Sequence, residues 1–202
     1  MKLKVLVAGI AMAVAAPLAM ADTAAGPYVG AGVGFYNTDL TVKSGANRLS
    51  FGDDEHDAGL DIFAGYKWNF GAGSVSAELS YTDTYGKMAT WSGGGESISG
   101  KLKGKEAISI LPGYQLSKDT TAFMRIGYAK IKGEITVAGT VNGTGSMNFN
   151  GTLYGFGIDH ALSPKLALRA EYKVLDNMSE AESGVTYEPR ATGVNIALRY
   201  AF

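Results

Sequence analysis

Eight stretches of this chain place large apolar side chains at every second position, with small or polar residues between them. The clearest is C-terminal: Val194, Ile196, Leu198, Tyr200 and Phe202 alternate with Asn195, Ala197, Arg199 and Ala201. A period of two sends the two sets to opposite faces of a strand. The same pattern predicts strands near 27–40, 58–69, 75–82, 105–116, 122–128, 152–162 and 166–174, and the last strand near 193–202. The second, for example, sets Leu60, Ile62, Ala64, Tyr66 and Trp68 against Asp61, Phe63, Gly65 and Lys67.

The connections alternate in length. Those after the first, third, fifth and seventh strands (41–57, 87–104, 134–151 and 177–190) are long and rich in Gly, Ser, Asn, Asp and Glu. The others are brief, such as Phe70-Gly71-Ala72-Gly73, Ser117-Lys118-Asp119-Thr120 and Ser163-Pro164-Lys165. Short periplasmic turns and longer external loops are the habit of bacterial membrane barrels. The expected fold is therefore all-β, an eight-stranded antiparallel up-and-down transmembrane β-barrel.

Two features set this apart from a soluble sandwich. The apolar set is rich in aromatics near strand ends (Trp68, Tyr66, Tyr81, Tyr114, Tyr128, Tyr154, Tyr172, Tyr200, Phe202), as the interfacial belts of a bilayer require. The other face carries Asp61, Lys67, Glu78, Arg125, Asp159, Arg169, Glu171, Lys173 and Arg199, which converge inside a closed ring. An interior that narrow is filled by side chains, and isolated charges there are costly, so pairing is expected. Glu78, Arg125, Arg169, Glu171 and Arg199 are the leading members of that expected network. Gly30, Gly32, Gly34, Gly65, Gly127, Gly155 and Gly157 are expected to leave room for its long side chains.

The N-terminus adds export. Lys2 and Lys4 precede an uncharged run from Val5 to Ala16, and Ala19-Met20-Ala21 closes it, so residues 1–21 read as a secretory signal peptide. Residues 22–202 then form a single barrel domain, and no second apolar run is long enough for a membrane helix. Cysteine is absent, so an exported sheet must be stabilised by closure rather than by disulfides. A net charge of −1 argues against a nucleic-acid partner. A mean hydropathy near zero fits strands with one apolar and one polar face.

These residues resemble the superfamily of OmpA transmembrane domains and OmpX-like small outer-membrane barrels. The most specific stretch is GFGIDHALSPKLALRAEYKVLD, from Gly155 to Asp176, with Arg169, Glu171 and Tyr172 on the recurring L-x-x-R-x-E-Y strand. The terminal R-Y-x-F (Arg199, Tyr200, Phe202) is similar too. The resemblance implies a Gram-negative outer-membrane location and a C-terminal assembly signal, Tyr200 and Phe202, read by the barrel-assembly machinery. It also implies outer-membrane lipid and lipopolysaccharide as surroundings, and a monomer whose external loops meet surface ligands.

Candidate chemistry is sparse. His160 has Ser163 three residues on and Asp159 beside it, a composition that outer-membrane lipid A deacylases share. Adjacent strand residues point to opposite faces, however, so Asp159 and His160 do not share a pocket without a bulge. His56, in Asp53-Asp54-Glu55-His56-Asp57, matches no defined metal loop. Gly30-x-Gly32-x-Gly34 lacks the helix a nucleotide fingerprint needs. The expectation is a non-enzymatic barrel without cofactor or metal, serving envelope integrity, adhesion or ligand binding. A narrow pore for small solutes is the alternative, and a lipid-modifying enzyme a more distant one.

Overall fold

The computed structural model describes residues 25–44, 47–52, 57–93, 96–139, 142–182 and 185–202. The predicted signal peptide and His56 lie outside those residues. Among the described residues ten strands follow in chain order: β1 (Gly26–Ser44), β2 (Asn47–Gly52), β3 (Asp57–Phe70), β4 (Gly73–Gly93), β5 (Glu96–Ser117), β6 (Thr120–Ala138), β7 (Gly143–Ala161), β8 (Leu166–Asp176), β9 (Glu180–Glu182) and β10 (Val185–Ala201). Their pairings are antiparallel, and β1 meets β10 from Tyr28↔Ala201 to Ser44↔Val185, closing the sheet into a ring. Closure pairs the edge strands that an open sheet would expose.

The count of ten departs from the predicted eight. β3 pairs with β1 along Gly26 to Tyr36, and β2 takes the next stretch of β1, Asp39 to Ser44. β8 and β9 divide β10 in the same way, at Ala191 to Tyr200 and at Val185 to Tyr187. Both additional strands fall in segments whose composition read as loop. The other two predicted long loops are also largely hairpin, paired out to Gly93↔Glu96 and to Val137↔Gly143. A ladder is built from backbone N–H and C=O groups, so polar and small residues extend it wherever a neighbouring strand continues.

Short turns gather at one end of the ring, at residues 71–72, 118–119 and 162–165. Gly71 turns the chain there with φ of 62°, a left-handed conformation that a Cβ would strain. The outer surface between the two ends is an apolar belt. Leu79 and Phe156 are each 63% exposed, with Ile108, Ile110, Met124, Ile126 and Leu198 on the same face. Such a surface suits contact with hydrocarbon rather than water.

Beyond the belt, towards the long hairpins, the alternation changes phase. On β6, Met124, Ile126 and Tyr128 face out, but the next apolar residues, Ala129 and Ile131, are buried inside while Lys130 and Lys132 face out. The same shift occurs between Leu153 and Tyr154 on β7, Ala107 and Ile108 on β5, and Val174 and Leu175 on β8. The wall thus passes from an apolar exterior to an apolar interior within one residue.

Candidate functional site

The interior has two storeys. Nearer the short turns, the inward positions of six strands bring the predicted charges together, and all nine are buried. Glu78 on β4 is the hub. Its Oε1 accepts from Arg125 Nη2 at 2.7 Å, and its Oε2 accepts from Arg169 Nη1 at 2.7 Å and from the Tyr28 hydroxyl at 2.9 Å. Arg125 also grips Glu171 through Nε and through Nη2 (3.1 Å to Oε2). Arg169 holds Asp159 with a two-pronged contact, at 2.8 and 3.1 Å, and Arg199 approaches the same carboxylate at 3.4 Å.

A second knot surrounds Asp61. Lys173 Nζ donates to it at 2.9 Å, and Thr82, Tyr36 and Asn195 donate as well. Lys173 lies 3.9 Å from Glu171, which links the knots. Lys67 is buried beside them. With Ser74, Ser76, Thr121 and Asp159 it borders a cavity of about 10 Å³, room for a single water molecule.

Alternation selected the charges but not their neutral partners. Tyr28, Tyr36, Thr82 and Asn195 complete the network, and the Arg169 guanidinium lies 4.7 Å from the ring centres of both Phe63 and Phe123. A planar cation between two ring faces is favourable where water is excluded. The glycines likewise differ from expectation. A Cβ on Gly30 would meet Phe63, on Gly34 Tyr36, on Gly65 Tyr28, on Gly157 Phe123, on Gly127 Ser109 and on Gly32 the wall at Ala197. Of those seven, only Gly155 faces ionic side chains, Glu171 and Arg125. Inner-wall aromatics lie flat over neighbouring strands, and most of the glycines make way for those rings.

The upper storey, towards the long hairpins, is apolar. Tyr36, Leu40, Leu102, Ala129, Ile131, Phe149, Leu153, Leu175 and Met178 form one buried cluster. A single phase of alternation carried along each strand does not reveal it, although the phase shift marks it in the sequence. The Tyr36 ring belongs to this cluster while its hydroxyl reaches Asp61, so one residue joins the storeys.

The candidate hydrolytic residues are not assembled. Asp159 is buried in the network, whereas His160 is on the exposed face with Nδ1 3.0 Å from Thr120 Oγ1. Ser163 Oγ accepts a turn hydrogen bond from the Leu166 amide at 3.1 Å. Tyr200 and Phe202, the predicted assembly signal, pack edge to face with ring centres 5.5 Å apart.

Residues 5–202 match the family described as outer membrane protein beta-barrel domain. Outer membrane protein P5 of Haemophilus influenzae is 24% identical, aligned over 97% of this chain. The chain spans about 59% of the length of that curated relative. Among solved structures, Neisserial surface protein A superposes with a TM-score of 0.56 at 14% identity, covering 87% of this chain and 97% of that one. The outer membrane protease OmpT of Escherichia coli gives 0.55 at 8% identity, covering 94% and 100%. At such identities these two likenesses speak for the fold alone.

Proposed function

This chain belongs to the outer membrane protein β-barrel family, and from that premise we propose that it is a closed, non-enzymatic barrel whose work is done at its outer surface. The protein is one of the Gram-negative outer membrane, crossed by strands. Its ten strands make a wall of eight staves, two of them split, and the long-hairpin end faces the cell exterior. It stands in the bilayer as a monomer, folded by the barrel-assembly machinery and surrounded by outer-membrane lipid and lipopolysaccharide. Envelope integrity and recognition of surface ligands by the extended hairpins are the roles this form suits.

The observation that supports this reading is the filled interior. A buried ionic network and a separate apolar cluster lie in series along the bore. A solute would have to break both. Planar bilayer recording tests the proposal: the wild type and Glu78→Ala give no discrete channels, because the apolar storey closes the bore without the network. Steady single-channel steps from the wild type would overturn it in favour of a conduit.

A further inference from the structure

The apolar belt is not evenly thick. Across β5 to β8 the register sets one outward row at Pro112, Met124, Phe156 and Tyr172. The next row, nearer the short turns, is Tyr114, Ala122, Ile158 and Ala170. The first row is bulky throughout, and its Phe156 and Tyr172 rings pack with centres 5.5 Å apart. The second drops to a methyl group at Ala122 and Ala170, both half-buried beneath their neighbours. The result is an open apolar groove of about 740 Å³ that continues to Val194 on β10. Its volume lies in the range of small-molecule sites. Five staves give it a span of about 19 Å at the usual strand spacing. One leaflet of hydrocarbon is roughly 15 Å deep, so the groove can seat most of an acyl chain.

The groove has a polar end. The next outward position towards the short turns is Thr120 on β6, in register with His160 on β7. Thr120 Oγ1 lies 3.0 Å from His160 Nδ1, which fixes the ring and leaves Nε2 on its far edge. Lys118 and Asp119 occupy the turn just beyond. An occupant must therefore reside in the hydrocarbon belt, be apolar over most of its length, and carry a hydrogen-bonding head at the short-turn end. A soluble ligand fails the first two conditions; a membrane phospholipid meets all three.

We propose that this groove holds one acyl chain of a glycerophospholipid of the inner leaflet, with its phosphate at His160 Nε2. Ala122 and Ala170 make the floor, and Tyr114, Phe156 and Tyr172 flank it. Thr120 positions the imidazole, so His160 has a role in which Asp159 and Ser163 take no part. The choice of leaflet rests on the outward orientation of the long hairpins proposed above; the groove and its polar end do not.

The test is native mass spectrometry of the purified full barrel, titrated in micelles with a phosphatidylethanolamine or with the diacylglycerol of the same chains. One phospholipid is retained per barrel, and the diacylglycerol is held more weakly. Ala122→Phe/Ala170→Phe fills the groove and weakens binding at least about fivefold, because chain packing is the main attraction between apolar surfaces in a bilayer. His160→Ala weakens it about threefold or more, the worth of one hydrogen bond. Ala31→Phe/Ala64→Phe, the same change at outward positions of β1 and β3 on the far side of the ring, leaves binding unchanged. Heat-modifiable gel migration verifies that each variant is folded. Unchanged binding in the groove-filling variant, equal retention of the diacylglycerol, or a second barrel in place of the lipid would overturn the proposal. Because the chain has no cysteine, Lys118→Cys in intact cells gives a separate check of the leaflet. A thiol protected from an impermeant maleimide is expected; labelling would overturn the orientation, whatever the lipid titration gives.

Discussion

The lower and upper storeys of the bore solve one packing problem with opposite chemistry. Below, four carboxylates and five cations fill the space between strands, joined by multiple-contact pairs, with further hydrogen bonds to Glu78 and Asp61 from Tyr28, Tyr36, Thr82 and Asn195. Above, Leu102, Ile131, Phe149, Leu153 and Leu175 fill it with apolar volume alone. The exterior explains the difference. Within the belt the outward positions must be apolar, so alternation leaves the inward ones polar. Past the belt the exterior meets water, and the pattern is free to bury its apolar set as a soluble sheet does. The two storeys should therefore respond differently to loss of a single side chain, because an abandoned charge costs more than an abandoned cavity.

The largest effect is expected at the ionic hub. Glu78→Ala leaves Arg125 and Arg169 facing each other without the shared acid and strands the Tyr28 hydroxyl. Removing one partner of a buried ion pair costs roughly 3–5 kcal/mol. Urea unfolding of the refolded barrel, followed by tryptophan fluorescence, measures it. A loss below about 1 kcal/mol would mean that water already solvates the network.

Leu153→Ala probes the apolar storey. The side chain is fully buried against Leu175 and its neighbours, and a cavity there costs about 2–4 kcal/mol by the usual large-to-small scale. The same unfolding experiment should rank it below Glu78→Ala. The reverse order would show that the apolar cluster, rather than the ion network, is the principal lock of the bore.

Gly193→Ala tests the flat aromatic packing between the storeys. A Cβ at this position would press into the Tyr36 ring and the Phe35 carbonyl, the latter being backbone that cannot step aside. Overpacking of this kind costs about 1–3 kcal/mol. Pairing it with Tyr36→Ala in a double-mutant cycle should recover only part of the loss, because the carbonyl contact remains.

What was legible beforehand follows the same division. Within the belt the outward positions are apolar and the charges face in, so alternation alone identified Glu78, Arg125, Arg169 and Glu171 as neighbours across strands distant in sequence. It could not show that Phe63 and Phe123 flank Arg169, since ring stacking depends on the angle between strands rather than on parity. Above the belt the same period persists with its meaning inverted. Doublets such as Leu153-Tyr154 and Val174-Leu175 record that inversion, yet segments rich in Gly, Asn and Ser around them read as loops. β2 and β9 were hidden for that reason: their cohesion lies in backbone pairing with β1 and β10, which leaves no trace in side-chain hydropathy.

The smallest effect belongs to an ion pair on the extended wall. Lys43 Nζ lies 2.6 Å from Glu188 Oε1, no longer than the contacts of Glu78 with Arg125 and Arg169, but the two side chains are 41% and 32% exposed. Water screens such a pair, and its two long side chains must be ordered to form it, so Lys43→Ala is expected to cost about 0–1 kcal/mol. Raising salt to 1 M should shrink even that in the wild type while leaving the penalty of Glu78→Ala nearly unchanged, because buried pairs are much less screened. Equal salt sensitivity at the two sites would mean that bulk ions reach the lower storey, and the distinction between a dry ionic core and a wet rim would fail.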